Sequence, residues 1–310
     1  MTRIIAKLSG GEGSWLAART YIDRHAPERF EVLFTDTLIE DQDTYRFLIA
    51  GAAHLFGITL PPGFLPKIAD FPAWEDRPLY KAYVLTLAAR VRDLMPDFHW
   101  IADGRDPFDV YEHERFLGNS RADPCSKILK RNLGDRWLRE NCDPAETIVI
   151  VGIDDTERAR FEGSERLSTR GLRAQMADAG WRFEAPLIDH PVMPWLIRPI
   201  VDGAGLWQQR LSVWAFSHSN CGGHCCKGGQ VHWKLMLGTF PERYAYAERR
   251  EQELRAVLGD VSMMTDRRKQ PGDTKTIKRP LTLTQLRDRV LTAEEAAEVT
   301  RCACMSGEAA

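Results

Sequence analysis

Two short apolar runs near the start of the chain limit its fold more than any other feature. Arg3 to Leu8 ends in Ser9-Gly10-Gly11, and Glu31-Val32-Leu33-Phe34-Thr35 ends in Asp36-Thr37. The stretch between them is long enough for one helix, with Trp15, Leu16, Ala18 and Tyr21 running to about His25. A second helix is predicted from Asp41 to Phe56, with Tyr45, Leu48, Ile49 and Ala52 on one face. Strand, helix, strand, helix at these lengths is a βαβ pattern, and hence a parallel sheet.

The alternation continues. A proline-rich loop from Pro61 to Pro78 precedes a helix at Leu79 to Met95 and a strand at His99 to Ala102. A helix from Cys125 to Asn141 leads to Thr147-Ile148-Val149-Ile150-Val151-Gly152, the clearest strand in the chain. A helix near Leu167 to Ala179 and a strand near Trp181 to Ala185 follow. Beyond about Leu206 the alternation stops, and the chain reads as helical and rich in Gly and Cys. The expected fold is α/β: a doubly wound, mostly parallel sheet over 1–205, then a helical, cysteine-containing metal lobe over 206–310. Pro241-Glu242-Arg243-Tyr244 is expected to open an exposed helix ending near Gly259.

Composition narrows the classes. With 44% apolar and 28% charged residues among 310, the chain is expected to be globular. Its 42 Lys plus Arg against 44 Asp plus Glu leave no global basic field, so nucleic-acid contact needs a local patch. No apolar run reaches the ~18 residues of a membrane span, and no membrane partner is expected. The expected compartment is the cytoplasm, where clustered thiols point to metal or redox chemistry. A homodimer stays open.

Ser9-Gly10-Gly11-Glu12-Gly13-Ser14 follows the first strand. Glycines let backbone approach an anion, and the next helix offers free N–H groups and a positive dipole end. The segment reads as a phosphate cradle or as a plain strand-to-helix turn capped by Ser14. The spacing fits neither the Walker A loop nor the dinucleotide fingerprint.

This segment resembles the PP-loop, strand-SGGxDS-helix, of the adenine-nucleotide α-hydrolase-like superfamily. Phe34-Thr35-Asp36-Thr37-Leu38-Ile39-Glu40 resembles the "DTGxE" segment of its phosphoadenosine phosphosulfate reductases. Asp123-Pro124-Cys125-Ser126-Lys127-Ile128-Leu129-Lys130 is similar to the family's Cys-Cys-x-x-x-Lys helix start, and Val151 to Arg160 to its "GxRxxEsxxR" segment. Some phage-type reductase-like proteins share a Cys-Gly-Gly-x-Cys segment and a terminal Cys-x-Cys. The resemblance covers roughly the first 200 residues and implies ATP or a related adenine nucleotide as ligand. Gly13 stands where the PP-loop has Asp. The Glu-Cys-Gly-Leu-His tail that carries the reductase nucleophile is absent, which argues against true sulfonucleotide reduction.

Candidate ligand contacts follow from position. Ser9, Gly10, Gly11, Gly13 and Ser14 would hold phosphates, with Gly152, Arg105, Lys127 and Arg160 around them. Asp36, at the carboxyl end of its strand, would meet the adenosine or a cation, or else cap the next helix. Asp154 and Glu157 follow the best strand; with Asp36 they are the catalytic candidates, and Asp154, Asp155 and Glu157 could hold Mg²⁺ through water. Arg115, Arg121, Lys127, Lys130 and Arg131 concentrate positive charge. Lys127, Lys130 and Arg131 are predicted to share a helix face that receives phosphates, a polynucleotide or only solvent.

Ser219-Asn220-Cys221-Gly222-Gly223-His224-Cys225-Cys226-Lys227 is the strongest local signal. Cys221 and Cys225, with Cys302 and Cys304, supply the four soft ligands that Zn²⁺ or a [4Fe–4S] cluster requires. Cys226 could replace Cys225, and His224 one thiolate. The expected function is ATP-dependent adenylation of a nucleobase or small acid with release of pyrophosphate, with a sulfur step possible. The rivals are adenylyl-sulfate reduction and a non-catalytic nucleotide- or nucleic-acid-binding module.

Overall fold

The computed structural model describes residues 2–117, 123–166, 168–216, 219–272 and 274–296. Its centre is an all-parallel sheet of β1 (Arg3–Leu8), β2 (Phe30–Asp36), β3 (Phe98–Ala102), β4 (Thr147–Val151) and β5 (Arg182–Glu184). The order is β3-β2-β1-β4-β5. The chain lays strands outward from β1 to β3, then returns to the other side of β1 for β4 and β5. Connections therefore diverge between β1 and β4, and in open α/β sheets ligands bind at that divergence, beyond the carboxyl ends of the strands.

Helices cover both faces. On one side α1 (Glu12–His25), α2 (Gln42–Leu55) and α3 (Arg77–Leu94) pack on Ala6, Phe34, Trp100 and Ile150. The opposite face buries Ile5, Leu33, Val149 and Phe183 with Leu138 and Phe161 from the helical segments 133–141 and 158–162. β4 is buried at every position, which is why a continuous β-branched run marks it so clearly.

The region after residue 205 is not a separate packing unit. Trp233, Met236, Tyr244 and Ala247, from helices Gln230–Thr239 and Pro241–Leu258, belong to the same core as Ala6 and Phe34. The second of these helices was expected to be solvated, yet Arg243 is 4% and Glu251 0% exposed. Their charges are matched by partners distant in sequence, which periodicity does not reveal. A short antiparallel hairpin, β6 (Met264–Asp266) with β7 (Arg279–Leu281), also went unforeseen; its strands are too short to show alternation. Among the described residues no helix is long and apolar enough to cross a membrane.

Candidate functional site

The glycine segment joins the carboxyl end of β1 to the amino end of α1, at the divergence beside β4. Helix α1 begins at Glu12 with Gly11 as N-cap, so Ser14 does not cap it. Instead Ser14 Oγ donates to the Gly11 carbonyl at 2.9 Å and accepts from the Ser9 N–H at 3.0 Å and the Ser9 hydroxyl at 3.1 Å. These bonds close the loop on itself and leave the first-turn N–H groups of α1 without helical partners. Gly152 seals its flank: a Cβ there would lie 2.5 Å from Ser14 Cα and 2.9 Å from Ser14 N. Gly13, by contrast, faces open space. The loop is latched from behind by Gln209, 2% exposed, whose Nε2 donates to the Gly10 carbonyl at 2.7 Å. No sequence signal marked Gln209.

Asp36 is not presented to a ligand. It has no exposed surface; its Oδ1 accepts from the Leu38 N–H (2.7 Å) and the Tyr45 hydroxyl (2.8 Å), and its Oδ2 from Trp100 Nε1 (2.9 Å). The carboxylate clamps the turn after β2, where Leu38 takes φ 56°, a left-handed conformation costly for leucine. Burial first, then the nearby Glu40 carboxylate, push the acid up from 3.8 to about 6. A raised acid favours the folded state only while protonated. The contribution is full below about pH 4 and is lost as pH rises through about 6. Asp36→Asn, which cannot ionise, should therefore gain about 2–3 kcal/mol relative to the parent between pH 4 and pH 7, at about 1.4 kcal/mol per pH unit. Denaturant unfolding at the two pH values reads this; a difference that does not move with pH rules it out.

The same turn carries a buried ionic network. Glu40 Oε1 accepts from Thr37 Oγ1 at 3.0 Å and Lys130 Nζ at 3.4 Å, while its Oε2 takes the Cys221 N–H. Asp41 caps α2 and pairs with Arg210 (2.7 Å) and Arg243 (2.8 Å). Arg243 also donates to Gln42 Oε1 at 2.7 Å and the Gly222 carbonyl at 3.1 Å. The turn after β2 is thus bound to the cysteine loop through ionic and backbone contacts.

On the opposite sheet face, Lys7 of β1 stands two residues before Ser9. Its Nζ lies 3.6 Å from Asp135 Oδ1, and the side chain is 22% exposed. Burial lowers its pKa, with Asp135 opposing. A lone lysine in an apolar strand is a readable signal, and the pattern reading passed over it. Above it, Lys127–Asn132 forms a π-helix, a winding that recurs at functional sites. Lys127, Lys130 and Arg131 therefore do not share one face: Lys127 is exposed, Lys130 reaches Glu40, and Arg131 pairs with Asp123 at 2.8 Å. The wider winding of a π-helix turns the i+3 position, Lys130, away from Lys127 and Arg131. Arg105 is held by Asp103, at 2.5 and 3.1 Å. Beyond β4, Asp154 is exposed and caps Thr156 (2.9 Å), while half-buried Glu157 holds Arg160 at 3.2 Å. Burial raises the Glu157 acid.

The cysteine loop folds tightly over the turn after β2. Cys221 takes φ 57° and Gly222 φ 55°, and a Cβ on Gly222 would lie 2.5 Å from the Ile39 carbonyl oxygen. His224 is 1% exposed, stacks on Trp74 at 4.3 Å and donates through Nε2 to the Arg243 carbonyl at 3.1 Å. Burial, then the Arg243 charge, lower its pKa to about 3, so it stays neutral. Cys226 is buried beside Tyr111, whose hydroxyl donates to Cys125 Sγ at 3.3 Å. Among the described residues no group of three His, Cys, Asp or Glu side chains could hold a metal. Cys302, Cys304 and Arg121 lie outside the described residues. Neither a protein-family model nor a curated protein matches the chain.

Proposed function

We propose that the chain is an adenine-nucleotide-dependent enzyme of the PP-loop kind that adenylates an acceptor. The observation that carries this reading is the closed glycine loop at the β1/β4 divergence, set on the amino end of α1 with Gly152 packed against Ser14. Backbone N–H groups there suit the β- and γ-phosphates. Lys7, two residues before Ser9 on β1, is the basic residue that the chain itself places next to the loop. A nucleophilic oxygen or nitrogen of the acceptor attacks the α-phosphorus. The bond to the bridging oxygen breaks, pyrophosphate leaves with that electron pair, and the proton of a protonated nucleophile passes to solvent water.

Mg²⁺, when bound, would neutralise phosphate charge. Asp154 and Glu157 could hold it through water, since this ion takes few carboxylates and keeps several waters. Zn²⁺ or a [4Fe–4S] cluster on Cys221, Cys225, Cys302 and Cys304 rests on the spacing of the thiols. A Cys302→Ser/Cys304→Ser variant should lose its metal in elemental analysis of anaerobically purified protein; full metal content removes these ligands.

ATP–pyrophosphate exchange tests the enzyme reading. Exchange in the presence of an acceptor is expected, and Gly11→Val should abolish it. ATP binding without exchange would leave a binding module, and sulfite release from adenylyl sulfate a reductase.

A further inference from the structure

The hairpin β6–β7 concentrates positive charge that the fold does not use. Its base is rigid. Glu251, fully buried, accepts from the Met263 N–H at 2.7 Å and the Leu283 N–H at 2.6 Å. Asp266 takes both terminal nitrogens of Arg289 at 2.8 Å. Arg268 turns inward onto Glu295 at 2.9 Å and the Val290 carbonyl at 2.6 Å. These bonds account for Glu251, Asp266, Arg268 and Arg289.

The connection between the strands is different. Lys269, Lys275 and Lys278 are exposed and enter no ion pair among the described residues. Thr274 and Thr276 add exposed hydroxyls beside them. The neighbouring cleft, ≈ 610 Å³, is lined by Arg267, Lys269, Thr276 and Gln230 and also by Glu294 and Glu295, the latter paired with Arg268 and Arg289. At its back is the amino end of helix Gln230–Thr239, whose N-cap, Gly229, supplies no capping side chain. Gln230 is 7% exposed; its Nε2 donates to Glu295 Oε1 at 3.3 Å, and its Oε1 has no partner among the described residues.

A single bound phosphate calls for donors that converge. These lysines instead spread along both limbs of an exposed connection, which suits a series of phosphates. The only large apolar side chain in that connection is Ile277, so the aromatic and leucine face of a membrane-surface element is missing. The whole chain has a net charge of −2, so the attraction is local to this hairpin.

We propose that the β6–β7 hairpin is a docking surface for a polynucleotide, with Lys269, Lys275 and Lys278 on successive backbone phosphates. Contacts of this type position a strand without reading its sequence. The surface is separate from the glycine loop and does not depend on the nucleotide reading.

The test uses the full chain and a fluorescein-labelled single-stranded DNA of about twenty nucleotides, followed by anisotropy as salt is raised. The parent protein should bind, and log affinity should fall against log salt with a slope of at least about −2, three phosphates contributing about −0.7 each. Lys269→Gln/Lys275→Gln/Lys278→Gln should bind at least about tenfold more weakly at low salt, with a slope closer to zero by about 2. Its melting temperature and ATP affinity should be unchanged. Arginine at the same three positions should restore binding. Absence of binding by the parent protein overturns the proposal, as does an undiminished affinity and slope in the glutamine variant. Binding to phosphatidylserine vesicles but not to the oligonucleotide overturns it in favour of a membrane surface. Loss of ATP binding in Gly11→Val with DNA binding intact would show that the two sites stand or fall separately.

Discussion

Gly152→Ala should slow ATP–pyrophosphate exchange by about 100-fold and lower stability by about 1–3 kcal/mol. The added methyl would sit 2.5 Å from Ser14 Cα and 2.9 Å from Ser14 N, both backbone atoms. No side-chain rotation relieves such a contact. Either the end of β4 or the first turn of α1 must move, and overpacking of this kind costs about 1–3 kcal/mol. The movement falls on the loop that Ser9 and Ser14 hold closed. Displacing positioning groups by about 1 Å can cost about 100-fold in rate. Gly13→Ala is the control. It meets nothing within 4 Å and replaces a glycine in the first turn of a helix, so it should leave affinity unchanged and not lower stability. ATP–pyrophosphate exchange rates, calorimetric titration with ATP and a thermal melt of both variants decide the matter. Equal ATP affinity and exchange rate in Gly152→Ala and the parent would detach the loop from nucleotide binding.

The second large effect is expected at Arg243. Arg243→Met should destabilise the protein by about 3–5 kcal/mol, the range for removing one partner of a buried ion pair. Arg243 is 4% exposed, lies 2.8 Å from Asp41 and has its guanidinium carbon 4.2 Å from the Phe240 ring centre. Burial pushes the Asp41 carboxyl up, but Arg243 and then Arg210 more than reverse this and hold it below the ordinary carboxylate value. That contribution is present above the ordinary Asp pKa and is lost as pH falls through the folded one. Without Arg243 only Arg210 remains, and the Gly222 carbonyl loses a donor. Urea unfolding should show a lower midpoint with an unchanged slope. Asp41→Asn/Arg243→Met should be less destabilised than the sum of the single changes, since the buried charge is removed with its partner. Strict additivity would mean that Arg243 acts through packing alone.

Much of the framework is legible in sequence for a simple reason. A strand of a covered parallel sheet must be apolar on both faces, so Thr147–Val151 and the runs around Ile5 and Leu33 announce themselves locally. Helix α2 likewise shows its buried face at Tyr45, Leu48, Ile49 and Ala52. The glycine loop is equally local, because its shape comes from contiguous residues. These features determine an α/β fold with a closed loop ahead of α1.

What surrounds the loop is decided by contacts between residues far apart in the chain. Gln209 reaches Gly10, Arg210 and Arg243 reach Asp41, and Glu40 receives the Cys221 N–H. None of these pairs shares a strand or helix, so no periodicity connects them. Asp36 shows the same limit from the other side. Its place at a strand end suggests a ligand contact, but Tyr45 and Trp100 arrive from other elements and enclose it. A charged side chain reads as exposed until the fold supplies a partner, because burying it alone costs more than any local preference can repay. Sequence therefore determines where the loop lies, and tertiary packing decides which charges it can use.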